Sequence, residues 1–162
     1  MAPARAASNY VCDSYIWVLA WVQANEGDAM SAHASATFKV ESWNEETTVE
    51  GESGAAKLSS ARVEQSLSGE IEGAGLAQWL MCYRADETAD FVGLQRIDGT
   101  VGGRRGSFVL TSNGTFDGKV AAGEMRVVEG SGSGELAGIS GAGSFSAPLG
   151  DQAAVELDYE LG

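Results

Sequence analysis

Few side chains in this sequence could carry chemistry, and the clearest group is spaced by two along one short run. Trp79, Met81 and Tyr83 alternate with other residues, and Arg96 lies in the run that follows. A tyrosine hydroxyl or a guanidinium can polarise a carbonyl or an enolate by donating hydrogen bonds. Tyr83 and Arg96 are therefore the candidate catalytic residues. The alternatives are that Tyr83 belongs to the core, with its hydroxyl reaching solvent, and that Arg96 is a surface charge beside Asp98.

The same pattern is typical of a binding pocket. Ligand sites usually combine an apolar lining with a few placed polar groups, and this sequence offers two glutamines among aromatic and methionine residues. The candidate ligand-binding residues are Gln65, Trp79, Met81, Tyr83, Gln95, Met125 and Tyr159. The glutamines would orient a small apolar molecule. The alternative is that these side chains only fill the interior, with the amides satisfied by cross-strand partners.

Two large classes of enzyme are excluded by residue counts. The chain contains a single histidine, His33, so that a histidine-rich metal site and a Ser-His-Asp triad are both hard to assemble. We therefore expect no metal and no cofactor. The two cysteines, Cys12 and Cys82, are too few for a disulfide-stapled scaffold and are typical of a reducing compartment. A cytoplasmic location is the corresponding prediction.

Length and charge restrict the partners. A chain of 162 residues fits one domain, and its formal net charge is -13. Nucleic acids and anionic membrane surfaces attract basic faces, so this charge would repel both. We expect no nucleic-acid partner and no membrane partner.

Alternating apolar and polar runs follow one another after Met30, separated by glycine-rich breaks. The clearest pair is residues 91–101 and 107–112, which flank Gly102 and Gly103, because glycine takes the positive φ of tight hairpin turns without steric cost. Between the runs, residues 45–56 are predicted to form a solvated acidic loop, and residues 73–75 a turn. The eight predicted strands are residues 33–43, 57–71, 77–84, 91–101, 107–112, 121–128, 135–146 and 155–161.

These runs predict an all-β fold over residues 30–162. No segment there is long enough to form a helix covering a sheet face, and closing the sheet removes the exposed strand edges. We therefore predict a closed eight-stranded antiparallel β-barrel, whose interior is just wide enough for packed side chains or one small ligand. A two-sheet sandwich is the alternative.

Residues 1–29 form an N-terminal extension of different character, with an apolar run at residues 15–22. As a helix it would carry Trp17 and Trp21 on a wide apolar face, which suits a lid over a barrel mouth. It also resembles a weak secretory signal, and it is too short to span a bilayer. A third hypothesis, which we favour, is an error in the assigned start. Residues 26–28 can be encoded by a purine-rich run resembling a ribosome-binding site, and Met30 follows.

Six short runs resemble those of a bacterial family of short proteins, the domain of unknown function 3224 family. They are residues 69–73, 83–84, 91–96, 106–110, 114–116 and 130–138. The resemblance implies an eight-stranded barrel similar to allene oxide cyclase and related to the lipocalin-type barrels. It also implies a homo-oligomer and a natural start near Met30.

Three functions are consistent with these observations. The first is binding of a small apolar molecule inside the barrel. The second, implied by the likeness to allene oxide cyclase, is a cyclase or isomerase of a natural-product pathway that shapes a reactive substrate and excludes water, which needs no strong nucleophile. The third is a non-catalytic structural protein that associates with itself.

Overall fold

The computed structural model describes residues 31–150 and 152–162, and within them the secondary structure consists of strands. The predictions for residues 1–29, including the lid helix, lie outside this part of the chain. No helix that could cross a membrane is found in the described residues. The strands are β1 (Ala32–Val49), β2 (Lys57–Gly69), β3 (Ile71–Tyr83), β4 (Ala89–Val101), β5 (Arg104–Phe116), β6 (Val120–Val127), β7 (Ser133–Gly134), β8 (Ile139–Pro148) and β9 (Ala153–Leu161).

Eight of these strands close into one barrel. The order of hydrogen-bonded neighbours is β4-β3-β2-β1-β9-β8-β6-β5, and β5 pairs again with β4. All the pairings are antiparallel, and the two-residue β7 only extends the pairing of β5. The prediction of a closed eight-stranded antiparallel barrel is confirmed, and the closure between β4 and β5 excludes the sandwich.

Alternation of apolar and polar residues decides which face of each strand turns inward. Along β9, Val155 and Leu157 are 5% and 0% exposed, while Glu156 between them faces solvent. The antiparallel register sets Leu157 opposite Ala34 and Val155 opposite Ala36, both of which are also buried. Because side chains on a strand alternate with a period of two, one apolar residue in two is enough to build the interior.

The end of the barrel at which β1 begins, which we call the base, is filled. A cluster of buried apolar side chains, the base cluster, packs there. Its largest members include Ile71, Ile97, Phe108, Leu136, Ile139, Leu157 and Tyr159. Leu136 comes from a tight corner at residues 134–138, in which Gly134 and Gly138 have φ of 61° and 79°. The seventh predicted strand, residues 135–146, is therefore wrong in its first part, and strand β8 begins only at Ile139.

Two other boundaries differ from the sequence prediction. The chain turns between β2 and β3 at Glu70, and Gly73 and Gly75 lie inside β3. Gly73 faces Gly99 of β4, and a Cβ on either residue would overlap the backbone of the other strand. The glycines here allow two strands to approach closely, which is the second common use of glycine besides turns. The predicted turn at residues 73–75 is wrong for this reason.

Strand β1 is also longer than predicted. It continues to Val49, so Glu45 and Thr47 belong to the barrel wall and not to the predicted loop of residues 45–56. The pairing of β1 with β2 shifts between Val40 and Ser42, which keeps Trp43 and Glu45 in register with the buried Val63 and Ala61. Strand β1 thus runs from the base to the opposite end, which we call the mouth.

Candidate functional site

A cavity of about 720 Å³ occupies the half of the barrel nearer the mouth. Close-packed interiors rarely leave voids larger than one water molecule, and this volume would hold roughly two dozen waters at about 30 Å³ each. Small-molecule sites span about 300–1,000 Å³. The cavity therefore has the size of a ligand site and not of a packing defect. Its largest lining side chains are Phe38, Trp43, Trp79, Met81, Tyr83, Phe91, Phe116 and Phe145.

Three aromatic rings form the central part of the wall. The rings of Trp79 and Phe91 meet edge to face with centroids 5.4 Å apart, and Phe145 lies 5.9 Å from Phe91 and 6.3 Å from Trp79. Such pairs contribute about 0.5–1.5 kcal/mol each beyond their buried area. Gly93 leaves room for the group, because a Cβ there would overlap the indole of Trp79. The rings thus hold one another in place, so the wall is preformed.

A pair of amides lies deep in the barrel between the cavity and the base cluster. The Nε2 group of Gln95 donates a hydrogen bond to Oε1 of Gln65, and both residues are only 7% exposed. Gly75 makes space for the pair, since a Cβ there would lie 3.1 Å from Gln95 Nε2 and 3.4 Å from Gln65 Oε1. Gln65 itself lines the cavity. Its NH₂ group carries two N–H donors, and none of the hydrogen bonds within the described residues uses them.

Polar residues surround the mouth. Tyr83 and Phe116 line both the cavity and an outer space, the vestibule, whose charged residues are Glu45, Lys57, Arg84 and Glu87. The hydroxyl of Tyr83 donates to Sδ of Met81 at 3.6 Å, and the ammonium of Lys57 lies 4.8 Å from the centre of the tyrosine ring.

The hydroxyl of Tyr83 is held in its neutral form. Burial, followed by the negative charge of Glu45 and a hydrogen bond to its carboxylate, raises the pKa of the Tyr83 hydroxyl above its usual value of 10.0. At neutral pH the group is therefore a hydrogen-bond donor at the boundary between the cavity and the vestibule. It can polarise an oxygen of a bound molecule, but it offers no phenolate for use as a base.

The other residues singled out in the sequence fall elsewhere. Met125 and Tyr159 point inward, with 4% and 7% exposure, but they pack in the base cluster and do not line the cavity. Arg96 lies on the outer surface of β4, where Nη2 is 3.4 Å from Asp98 Oδ2 and donates to Ser107 Oγ at 3.2 Å. The interpretation of Arg96 as a surface charge matches this placement. Gln65, Trp79, Met81, Tyr83 and Gln95 are brought together around the cavity.

Sequence reasoning missed several lining residues. Phe38, Phe91, Phe116 and Phe145 line the cavity, and none of them is among the candidate residues drawn from the sequence. Glu45 was assigned to a solvated loop. The alternation of β1 from Ala36 to Val40 would point Glu45 outward, and only the shift in pairing between Val40 and Ser42 turns it inward.

Comparison with known proteins identifies relatives without an assigned activity. A family model described as a protein of unknown function (DUF3224) matches residues 34–159. A solved structure of a protein of unknown function from the DUF3224 family of Shewanella oneidensis MR-1 is 26% identical, with a TM-score of 0.69, over 82% of this chain and 98% of that chain. None of the curated proteins compared matches this chain. These relatives therefore share the fold of this chain, and their descriptions give no ligand.

Proposed function

This chain belongs to the DUF3224 family of proteins of unknown function, and we propose that it binds one small, largely apolar molecule inside its barrel. The observation that carries the proposal is the contrast between the two halves of one interior. Buried side chains pack against one another at the base, with Phe108 and Leu157 at 1% and 0% exposure, whereas the half nearer the mouth holds a partly open cavity of about 720 Å³. Packed side chains occupy the base half of the barrel interior, and the half nearer the mouth is open.

The chemistry of the wall supports an apolar body with one polar feature. Aromatic rings and Met81 are the largest apolar groups of the lining, and the NH₂ group of Gln65 is the deep donor available to a ligand oxygen. Burying apolar ligand surface drives binding, and a single placed donor orients the molecule. We expect a ligand with a carbonyl, ether or hydroxyl oxygen at its buried end.

A series of straight-chain alcohols from 1-hexanol to 1-dodecanol tests this proposal. Each added methylene should tighten binding by about 0.8 kcal/mol, or roughly fourfold, until the cavity is filled. Titration calorimetry on the full chain measures the series, and mass spectrometry of native protein after solvent extraction searches for a natural ligand. Affinities that do not depend on chain length would contradict the proposal.

Two matched variants locate the binding. Ala147→Phe adds a ring inside the cavity, because Ala147 lines it, and should abolish or strongly weaken binding. Ala154→Phe makes the same change on the exposed face of β9 and should leave binding unchanged. Equal affinities for both variants would place the alcohols outside the barrel.

Tyr83 supports a cyclase or isomerase as the second candidate function. Its neutral hydroxyl is a donor at the edge of an apolar, partly enclosed space, where hydrogen bonds to a developing oxyanion are stronger than in water. A reactive chain folded against Trp79 and Phe91 would be kept from solvent. Tyr83→Phe separates the two functions: a binding protein keeps its affinity for alcohols, whereas a cyclase loses turnover of its substrate once that is identified by extraction.

The outer wall supports self-association. Leu80 is 61% exposed and lies opposite Val92, which is 53% exposed, and Leu94 beside them is also 53% exposed. A second copy suits this uncharged strip, because the net charge of -13 makes most other faces repel one another. Light scattering across a dilution series should detect an oligomer that Leu80→Glu dissociates. Light scattering at the monomer mass at every concentration would refute self-association.

A further inference from the structure

Glu45 is an inward-facing carboxylate at the mouth of the barrel. An apolar cavity alone gives no reason for a charged group at this position. It stands opposite Ala61 in the pairing of β1 and β2, two residues along from Trp43, which stands opposite Val63. Residues paired across strands share a face, and Ala61 and Val63 are buried inside the barrel. The side chain of Glu45 therefore projects over the mouth, and it lines the vestibule together with Tyr83 and Phe116.

Two hydrogen bonds fix the Glu45 carboxylate. Oε1 accepts from the hydroxyl of Ser59 at 2.7 Å, and Oε2 accepts from the indole Nε1 of Trp43 at 2.9 Å. Ser59 is only 1% exposed, so one donor is anchored in the wall. Both donors are neutral. They orient the carboxylate and leave its negative charge in place, and the neutral hydroxyl of Tyr83 lies beside it.

The basic groups of the vestibule are engaged elsewhere. Arg84 forms an ion pair with Asp90 and also donates to Thr88, while the Lys57 ammonium lies over the ring of Tyr83. None of the ion pairs in the described residues involves Glu45. Glu87 adds a second negative charge to the same space. The vestibule therefore holds an oriented anion that forms no direct ion pair among the described residues, at the point where the apolar cavity opens.

Aromatic rings surround this anion. Trp43 donates to it, and Tyr83 and Phe116 line the passage between the vestibule and the cavity. The faces of such rings attract cations, most strongly where water is partly excluded. A carboxylate bordered by aromatic rings is the chemistry that recognises an ammonium group. The net charge of -13 adds a long-range attraction for cations and a repulsion for anions.

From this arrangement we propose that the ligand is an amphipathic amine, whose apolar body fills the cavity and whose ammonium group pairs with Glu45 in the vestibule. The inference rests on the proposed function, because it names the class of molecule for the same cavity. The competing class is an amphipathic anion such as a fatty acid held by Lys57. The orientation of Glu45 toward the mouth and the negative charge of the chain favour the amine.

Three probes that share one apolar body and differ in the head group test the proposal: decylamine, 1-decanol and decanoate. Titration calorimetry at low ionic strength, below the micellar concentration of each probe, gives the three affinities for the full chain. We expect decylamine to bind about tenfold more tightly than 1-decanol, because its ion pair and cation–π contacts outweigh the hydrogen bond that only the alcohol makes with Gln65, and decanoate to bind most weakly.

Two variants remove the same charge at neighbouring positions. Glu45→Gln should weaken decylamine binding about tenfold and leave 1-decanol within twofold, since only the amine uses the carboxylate. Glu46→Gln is the control, because Glu46 is the next residue on the same strand and projects to the other face. It should change neither affinity by more than about twofold. Thermal melting of both variants verifies that they fold.

The outcomes separate the two levels of the hypothesis. If 1-decanol binds, but decylamine is not preferred or Glu45→Gln acts no more strongly than Glu46→Gln, the assignment of an amine is refuted and the apolar site remains. Tightest binding of decanoate would also refute it, in favour of an anionic head group. If none of the three probes binds, the proposed function fails with the inference.

Discussion

Removing both buried glutamines should cost the barrel less than removing one. In the parent, the Gln95 NH₂ group donates to the Gln65 carbonyl oxygen inside a site where both residues are 7% exposed. Gln95→Leu removes this hydrogen bond and leaves the oxygen of Gln65 without its partner, which costs about 1–3 kcal/mol. In the double variant Gln65→Leu/Gln95→Leu neither amide remains, and two apolar side chains of similar size replace them. Its stability should lie within about 1 kcal/mol of the parent.

Urea unfolding followed by tryptophan fluorescence and by circular dichroism measures these differences. A complete cycle of parent, two single variants and double variant gives the coupling free energy directly, and we expect it to be favourable by about 1–3 kcal/mol. The same four proteins are then titrated with 1-decanol. Because the NH₂ group of Gln65 is the donor offered to the cavity, the double variant should lose affinity for the alcohol while keeping its stability.

Two results would refute this reasoning. If the double variant is less stable than either single variant, the amides stabilise the barrel through contacts other than their mutual hydrogen bond. If it keeps both its stability and its affinity for 1-decanol, the amide pair serves neither folding nor recognition, and the ligand oxygen must be sought at Tyr83 instead.

Three further predictions concern other parts of the chain. Gly93→Ala should lower the stability by about 1–3 kcal/mol and alter tryptophan emission in an unfolding experiment, because its Cβ would overlap the Trp79 indole. Hydrogen bonds to Asp158, then to Glu156, raise the pKa of His33 above 6.5. The stabilisation that these contacts give the folded state is therefore complete below pH 6.5 and is lost as the pH rises through the folded-state pKa. The difference in melting temperature between the parent and His33→Gln should shrink accordingly. Deleting residues 1–29 should change neither melting temperature nor alcohol binding, since β1 starts at the base, opposite the mouth.

The alternation of residues predicted the barrel because a strand has only two faces. Along β4, Gln95, Ile97 and Val101 share one face by alternation, and all three are buried. Glycine was harder to interpret, since it is suited both to turns and to places where strands approach closely. Gly102 and Gly103 form the expected hairpin turn with φ of 55° and 80°, whereas residues 73–75 continue a strand. The sequence of a single strand does not distinguish these uses, because the crowding comes from the neighbouring strand.

The direction in which a side chain points and its height along the barrel axis are separate properties. Alternation along a strand can predict only the direction. Met125 and Tyr159 point inward like Trp79, yet they lie in the base cluster and Trp79 lies at the cavity. The height of a residue depends on the stagger between neighbouring strands, and this stagger is determined by the pairing of all eight strands. Glu45 needed both properties: the shift in the pairing of β1 with β2 set its direction, and the extension of β1 to Val49 set its position at the mouth, where it accepts from Ser59. Alternation counted from Ala36 would place this carboxylate outside, and the shift turns it inward at the end of the barrel, where the interior meets water.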